Sequence, residues 1–309
     1  TTVLLWMKAI RWRADLSWLF VVCLLSLTNF PMLESIYLQQ PGMLAAALLA
    51  ATCAAIVSGR MVLSGVLLGC STIKPQLSLL LAAWMLFWAL TDWPHRKRVV
   101  LSFAATLFIL IFASELVLPG WLSEFIWGLI AYQRYNAVSS ILDMVFGRFI
   151  GVAVALILLG FLSHVAWRTR SAVPHSELFG LTFAAVLACT VVIMPTVYPT
   201  AQIVVVPGIF IIIKLSRLIW SKSRLIRLQF LATMILLFWP YFGAALLFFR
   251  HLTVPVERVG DAWIIVLAPI LLVPTMSLIL LLLLLKSAVN SQNAPYSKTE
   301  LLQAIFETY

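Results

Sequence analysis

The sequence predicts an all-α, polytopic membrane helical bundle of about ten membrane segments, and three observations lead there. Of its 309 residues, 63% are hydrophobic and only 10% are charged, too few polar groups to cover a water-soluble domain. Apolar stretches of about 20 residues, the length that crosses a hydrocarbon core, recur along the chain. Between them lie short clusters of Lys and Arg, which bring the formal net charge to +10. In a soluble chain that charge would suggest nucleic acid. Here no nucleic-acid partner is expected, because short basic loops between apolar runs are the pattern of cytoplasmic loops meeting anionic membrane lipids.

The expected spans are 16–33, 40–57, 99–118, 149–167, 178–196, 200–216, 228–249 and 263–285, with an overlong run at 62–90. That run is interrupted by Lys74-Pro75. Pro75 lacks a backbone donor and pushes Lys74 out of helical dihedrals, so the run splits into two half-helices. Read as an antiparallel hairpin of 62–73 and 76–90, it places 16 of the 21 Lys and Arg on one side. Crossing once would scatter them, so the positive-inside rule favours the hairpin. The expectation is a multi-pass cell-membrane protein with cytoplasmic termini, Arg60 and Arg96 on the same side, and Lys74 on the other.

The long outer segment 119–147 shows helical spacing at Leu122, Phe125, Ile126, Leu129 and Ile130, and again at Val138, Ile141, Leu142, Val145 and Phe146. Two interfacial helices are expected, with Trp121, Trp127, Tyr132 and Tyr135 at headgroup level and a polar joint at 132–136. After Lys286 the composition turns polar. Ser297 to Glu300 fits a capping box opening a short helix with Leu301, Leu302, Ile305 and Phe306 on one face. The chain therefore divides into a membrane domain, 1–286, and a cytoplasmic tail, 287–309. Cys23, Cys53, Cys70 and Cys189 all fall in apolar runs and read as small core residues. No metal site, P-loop or dinucleotide fingerprint stands out, and no cofactor is expected.

Only eleven acids exist, and six fall near the outer side: Glu34, Glu115, Glu124, Asp143, Glu257 and Asp261. Glu34 precedes Gln39-Gln40-Pro41, and Pro41 suits the first turn of a helix whose N-terminus faces outward. Such a terminus favours an anion, so Gln39, Gln40 and free backbone donors could hold a phosphate. An ordinary polar loop is the competing reading. A lysine at membrane depth is costly and usually faces a polar cavity, which marks Lys74, with Gln76 beside it, as a substrate-binding candidate. A snorkelling or ion-paired structural lysine is the alternative. Glu115, in the last turn of its span, suits either a structural partner or binding. Arg134 and Arg148 suit a phosphate or a headgroup equally, and Tyr132 and Tyr135 form the aromatic part of the joint between the interfacial helices.

The stretch from Gln39 through the outer segment resembles glycosyltransferase family 87, the polyprenol-phosphate-mannose-dependent transferases of the GT-C superfamily. The matching pieces are Gln40-Pro41, Gly59-Arg60, Ser64 to Gly69, and above all Thr72-Ile73-Lys74-Pro75-Gln76-Leu77, followed by Trp84, Trp88 and Leu118-Pro119-Gly120-Trp121. The resemblance implies a GT-C-like domain that moves a hexose, mannose, from a polyprenyl-phosphate donor to a glycan or lipid acceptor. It also implies an acidic general base in a first outer loop. The family's extra N-terminal span and large first loop are expected upstream of Thr1, with that base among them, and Glu34 stands as the candidate within this sequence. An anionic-substrate transporter or lipid flippase, and a non-catalytic membrane scaffold, remain the other classes.

Overall fold

With so few side-chain partners available in apolar runs, the backbone must satisfy its own hydrogen bonds, and among the described residues no strand occurs. A computed structural model describes residues 2–135, 140–194, 199–255, 258, 259, 262 and 268–293. The first helix, α1 (Thr2–Ala9), is followed by α2 (Leu16–Thr28), which Asp15 caps by accepting a hydrogen bond from Trp18 N at 2.8 Å. A single span is expected over 16–33. Instead the chain turns by 52° at Asn29 into α3 (Phe30–Tyr37), because Pro31 withholds the N–H that would continue α2.

Next come α4 (Gly42–Val57), α5 (Met61–Cys70), a 3-10 turn at Ser71–Ile73, α6 (Pro75–Leu90) and α7 (Trp93–Val117). The break falls where proline puts it, with Lys74 at φ −129 and ψ 79. Gly65 lies against Val99, Ser102 and Phe103, and Gly69 against Phe103 and Thr106. Contact positions therefore advance together along both helices, so α5 and α7 run parallel. The connecting α6 must return in the opposite sense. This is the expected hairpin, with Arg60 and Arg96 at one end and Lys74 at the other.

The outer segment forms α8 (Trp121–Tyr135) and α9 (Ile141–Phe146), the latter opened by a reciprocal capping box between Ser140 and Asp143. The expected joint at 132–136 begins inside a helix, since Gln133, Arg134 and Tyr135 contain no breaker and extend α8 by a turn. Asn136 and Val138 lie outside the described residues. The apolar face of α8, Leu122, Phe125, Ile126, Leu129 and Ile130, is exposed rather than packed on the bundle, as an interfacial helix requires.

The second half comprises α10 (Arg148–Arg168), α11 (Glu177–Ile193), a 3-10 stretch at Pro199–Val205, α12 (Val206–Lys214), α13 (Ser216–Trp220), α14 (Arg224–His251), a 3-10 stretch at Ala268–Leu272 and α15 (Val273–Asn293). Fourteen of the 17 residues of α11 are buried, so it is the post around which α6, α10, α12 and α15 pack. By contrast α7 is 6% buried over its most apolar window and turns Leu101, Phe108, Ile109 and Phe112 outward. A helix apolar all round but unburied faces lipid.

Four helices among the described residues are long and apolar enough to cross a membrane, five if the bent α2–α3 pair counts as one. Six shorter apolar helices accompany them, and with α8 set aside these are the segments the sequence expects. Polar bonds between helices tie the bundle. Gln229 Nε2 donates to Met276 O at 3.0 Å, Gln202 Nε2 to Ile270 O at 3.1 Å, and Trp88 Nε1 to Ala172 O at 3.0 Å. In the turn before α7, the hydrogen bond from His95 holds the Asp92 carboxyl below the usual carboxylate range. At the other end α15 continues seven residues past Lys286, because 287–293 contains neither Gly nor Pro. The expected tail helix at Ser297 to Phe306, and the acids Glu257 and Asp261, lie outside the described residues.

Candidate functional site

The site is built where α3, α4 and the α5–α6 break meet. The last turn of α3 is closed by Leu38 N donating to Glu34 O and Gln40 N donating to Ser35 O, each at 2.9 Å. Between them Gln39 takes φ +50, a left-handed conformation rare outside glycine. That strained residue turns the chain so that Pro41, at φ −64, leads into α4. Gln40, half-buried, then reaches across to the break, and its Oε1 accepts a hydrogen bond from Lys74 Nζ at 3.3 Å. The ammonium also lies against the first residue of α4, for a Cβ added to Gly42 would sit 3.2 Å from Lys74 Nζ.

These contacts place three positive features together. The N-terminal turn of α4 carries unpaired backbone N–H groups and a partial positive charge, and no side chain caps it. Pro75 opens α6 in the same place, again without a side-chain cap. The Lys74 ammonium stands between them with no carboxylate within 4.0 Å among the described residues. A half-buried cation beside a helix N-terminus is an unfavourable pairing, and an anion is the partner that would relieve it. Gln76, the second residue of α6, is exposed and adds an amide to the same rim.

The acids expected on the outer side differ in what they are already doing. Glu115 accepts a hydrogen bond from Gly120 N and so closes the end of α7, a backbone partner rather than an arginine. Asp143 accepts from Ser140 N at 2.9 Å in its capping box, although its other oxygen is buried and unpaired. Glu124 is exposed on α8. Glu34 sits one turn before the Gln39–Gln40 corner with one carboxylate oxygen, Oε2, buried and without a hydrogen-bond partner. It forms no ion pair with Lys74. Tyr132, Arg134 and Tyr135 have their backbone in the last turn of α8, and their side chains lie outside what is described.

Sequence reasoning brought Gln40 and Lys74 forward separately, and the structure joins them. It missed the left-handed Gln39 and the close approach at Gly42. Only the glycine's position at a helix start could have signalled the second, and nothing local marks the first.

The arrangement can hold an anionic group, and comparison with known proteins shows the family of the chain that carries it. Neither the curated proteins nor the solved structures gave a match. The model of Glycosyltransferase family 87 matches residues 1–199, a stretch that takes in the α3–α4 corner, the hairpin with Lys74 and the outer helices. Because that match covers more than half of the chain, the protein belongs to glycosyltransferase family 87 and is a multi-pass membrane glycosyltransferase.

Proposed function

We propose that this protein transfers a hexose, mannose, from a polyprenyl-phosphate donor to a hydroxyl of a glycan or lipid acceptor, on the membrane side opposite the basic loops. The observation that carries the reading is the placement of Lys74 against Gln40 and Gly42. The donor phosphate sits between the N-terminal turns of α4 and α6, with the Lys74 ammonium, the Gln76 amide and free backbone N–H groups on its oxygens. Gln40 accepts from Lys74 and so aims it.

In the transfer, an acceptor oxygen forms a bond to the anomeric carbon while the bond from that carbon to the phosphate oxygen breaks. The bonding electrons leave with the phosphate, and the negative charge that grows there is what Lys74 and the helix ends stabilise. The acceptor's proton must go to a carboxylate within hydrogen-bond reach. Within this chain the proposal gives that role to Glu34, whose Oε2 is not spent on any protein donor. Tyr132, Tyr135 and Arg134, at the end of α8, are proposed to line the sugar and headgroup side, and Glu115 to hold the α7–α8 corner against it.

The test is turnover of Lys74→Gln in lipid nanodiscs with a polyprenyl-phosphate mannose donor. Loss of one preorganised donor to a developing charge lowers the rate about 10²- to 10³-fold, with the protein still folded. Unchanged turnover would remove Lys74 from the site. Offering glucose and mannose donors in competition tests the sugar.

A further inference from the structure

We propose that the protein carries a second anion site, at the far end of α4 from Lys74, that binds a phosphate-bearing ligand. A cleft of about 480 Å³ opens there, lined among others by Lys8, Arg11, Arg13, His175, Glu177 and Lys214. It lies at the end of the bundle where the basic loops gather, about 24 Å of helix from the outer site, given 1.5 Å per residue along α4.

Its charges are not balanced from within. Lys214 is engaged, donating to Ile10 O at 3.2 Å and standing 4.0 Å from Glu177 Oε1. Lys8, Arg11 and Arg13 have no carboxylate within 4.0 Å among the described residues. The backbone adds an independent sign. Arg11 closes α1 at φ +53, with Arg11 N donating to Lys8 O at 3.1 Å and Trp12 N to Met7 O at 2.9 Å. Glycine ends helices in this way at no steric cost. An arginine held in the left-handed region, at the mouth of a cleft and between two further cations, is a strained residue kept where its side chain serves. The cleft exceeds what inorganic phosphate alone would fill, which suits a phosphate ester with its attached group, from an anionic lipid headgroup or from a soluble molecule.

The experiment uses the full chain in phosphatidylcholine nanodiscs, in a Lys74→Gln background that removes the outer site. Pyrophosphate and dihexanoyl phosphatidic acid are titrated separately by calorimetry, with dihexanoyl phosphatidylcholine as the uncharged-headgroup control. Saturable one-to-one binding of pyrophosphate supports the site and names a soluble phosphate as the source, whereas saturation by phosphatidic acid alone supports it and names the lipid. Adding Arg11→Gly weakens binding about tenfold, the loss of one charge-assisted contact. The same change leaves the unfolding temperature level or higher, since glycine suits that backbone. No saturable binding of either probe, or equal binding with and without Arg11, overturns the proposal.

Discussion

The guanidinium carbon of Arg96 lies 3.9 Å above the indole ring of Trp88, and its Nη1 donates to Trp88 O at 2.9 Å and to Arg170 O at 3.2 Å. One residue thus joins the end of α6, the start of α7 and the loop after α10, while only 8% exposed. Arg96→Ala removes both bonds and bares a ring face, leaving Thr91 Oγ1 as the side-chain donor to Trp88 O at 2.8 Å and to Arg170 O at 3.1 Å. A hydrogen bond from a charged group contributes about 1.5–3 kcal/mol and the lost cation–π contact about 0.5–2 kcal/mol. Thermal unfolding in detergent should show a lower midpoint, and transfer by the protein that remains folded should persist. An unchanged midpoint would make the clamp ornamental.

The parallel course of α5 and α7 places Arg60 and Arg96 at one end of the hairpin. Single cysteines at Arg60 and at Lys97, the exposed neighbour of Arg96, should react with a membrane-impermeant maleimide from the same face, and a cysteine at Gln76 from the other. The native cysteines, half-buried at Cys23 and Cys70 and buried at Cys53 and Cys189, are removed first by Cys→Ser or Cys→Ala replacement. Labelling of residues 60 and 97 from opposite faces would contradict the register described above.

Gly65 and Gly69 let α5 approach α7 so closely that a side chain at either would collide with Ser102, Val99 O or Thr106. Gly65→Val and Gly69→Val should each destabilise the protein by about 1–3 kcal/mol, the usual cost of overpacking, and more if backbone must move. Yield of folded protein and unfolding midpoint report it. Gly128, with open space around it, serves as the control, and Gly128→Ala should change neither.

Glu34→Gln separates structure from chemistry. The buried Oε2 has no donor, so changing the carboxylate to an amide of the same shape removes its negative charge without breaking a hydrogen bond at that oxygen. Stability should hold or rise while transfer falls at least 100-fold if the carboxylate takes the acceptor's proton. Full activity in the variant would assign the proton elsewhere.

The Lys74–Pro75 break was legible because proline acts on its own backbone and the residue before it. The bend at Asn29 was less so, since Asn29 and Pro31 fall inside a stretch of spanning length, and composition alone does not say whether a proline kinks a span or ends it. Likewise Gln40 and Lys74 are 34 residues apart, and periodicity carries no information on which outward corners meet. Burial was hidden for a different reason. In lipid the core and the outer surface are equally apolar, so α11 and α7 read alike in sequence although one is the central post and the other faces the bilayer. The family resemblance reached the family that the match over residues 1–199 shows, because short motifs are local, whereas the basic cleft draws on residues some 200 positions apart and left no mark in the linear pattern.

The parallel pairing of α5 with α7 also constrains how the protein is made. Its ten-residue α5 is about 15 Å long, half the thickness of the hydrocarbon core, and its glycine face fits a helix that the ribosome has not yet produced when α5 emerges. The segment must be sheltered beside α4, or by the insertion machinery, until Val99 and Ser102 arrive. Assembly order therefore departs from synthesis order here: the hairpin becomes a settled part of the bilayer only after the helix that follows it. A chain stopped after Leu90 would leave Gly65 and Gly69 facing lipid, and quality-control proteolysis should recognise it sooner than a chain stopped after Val117.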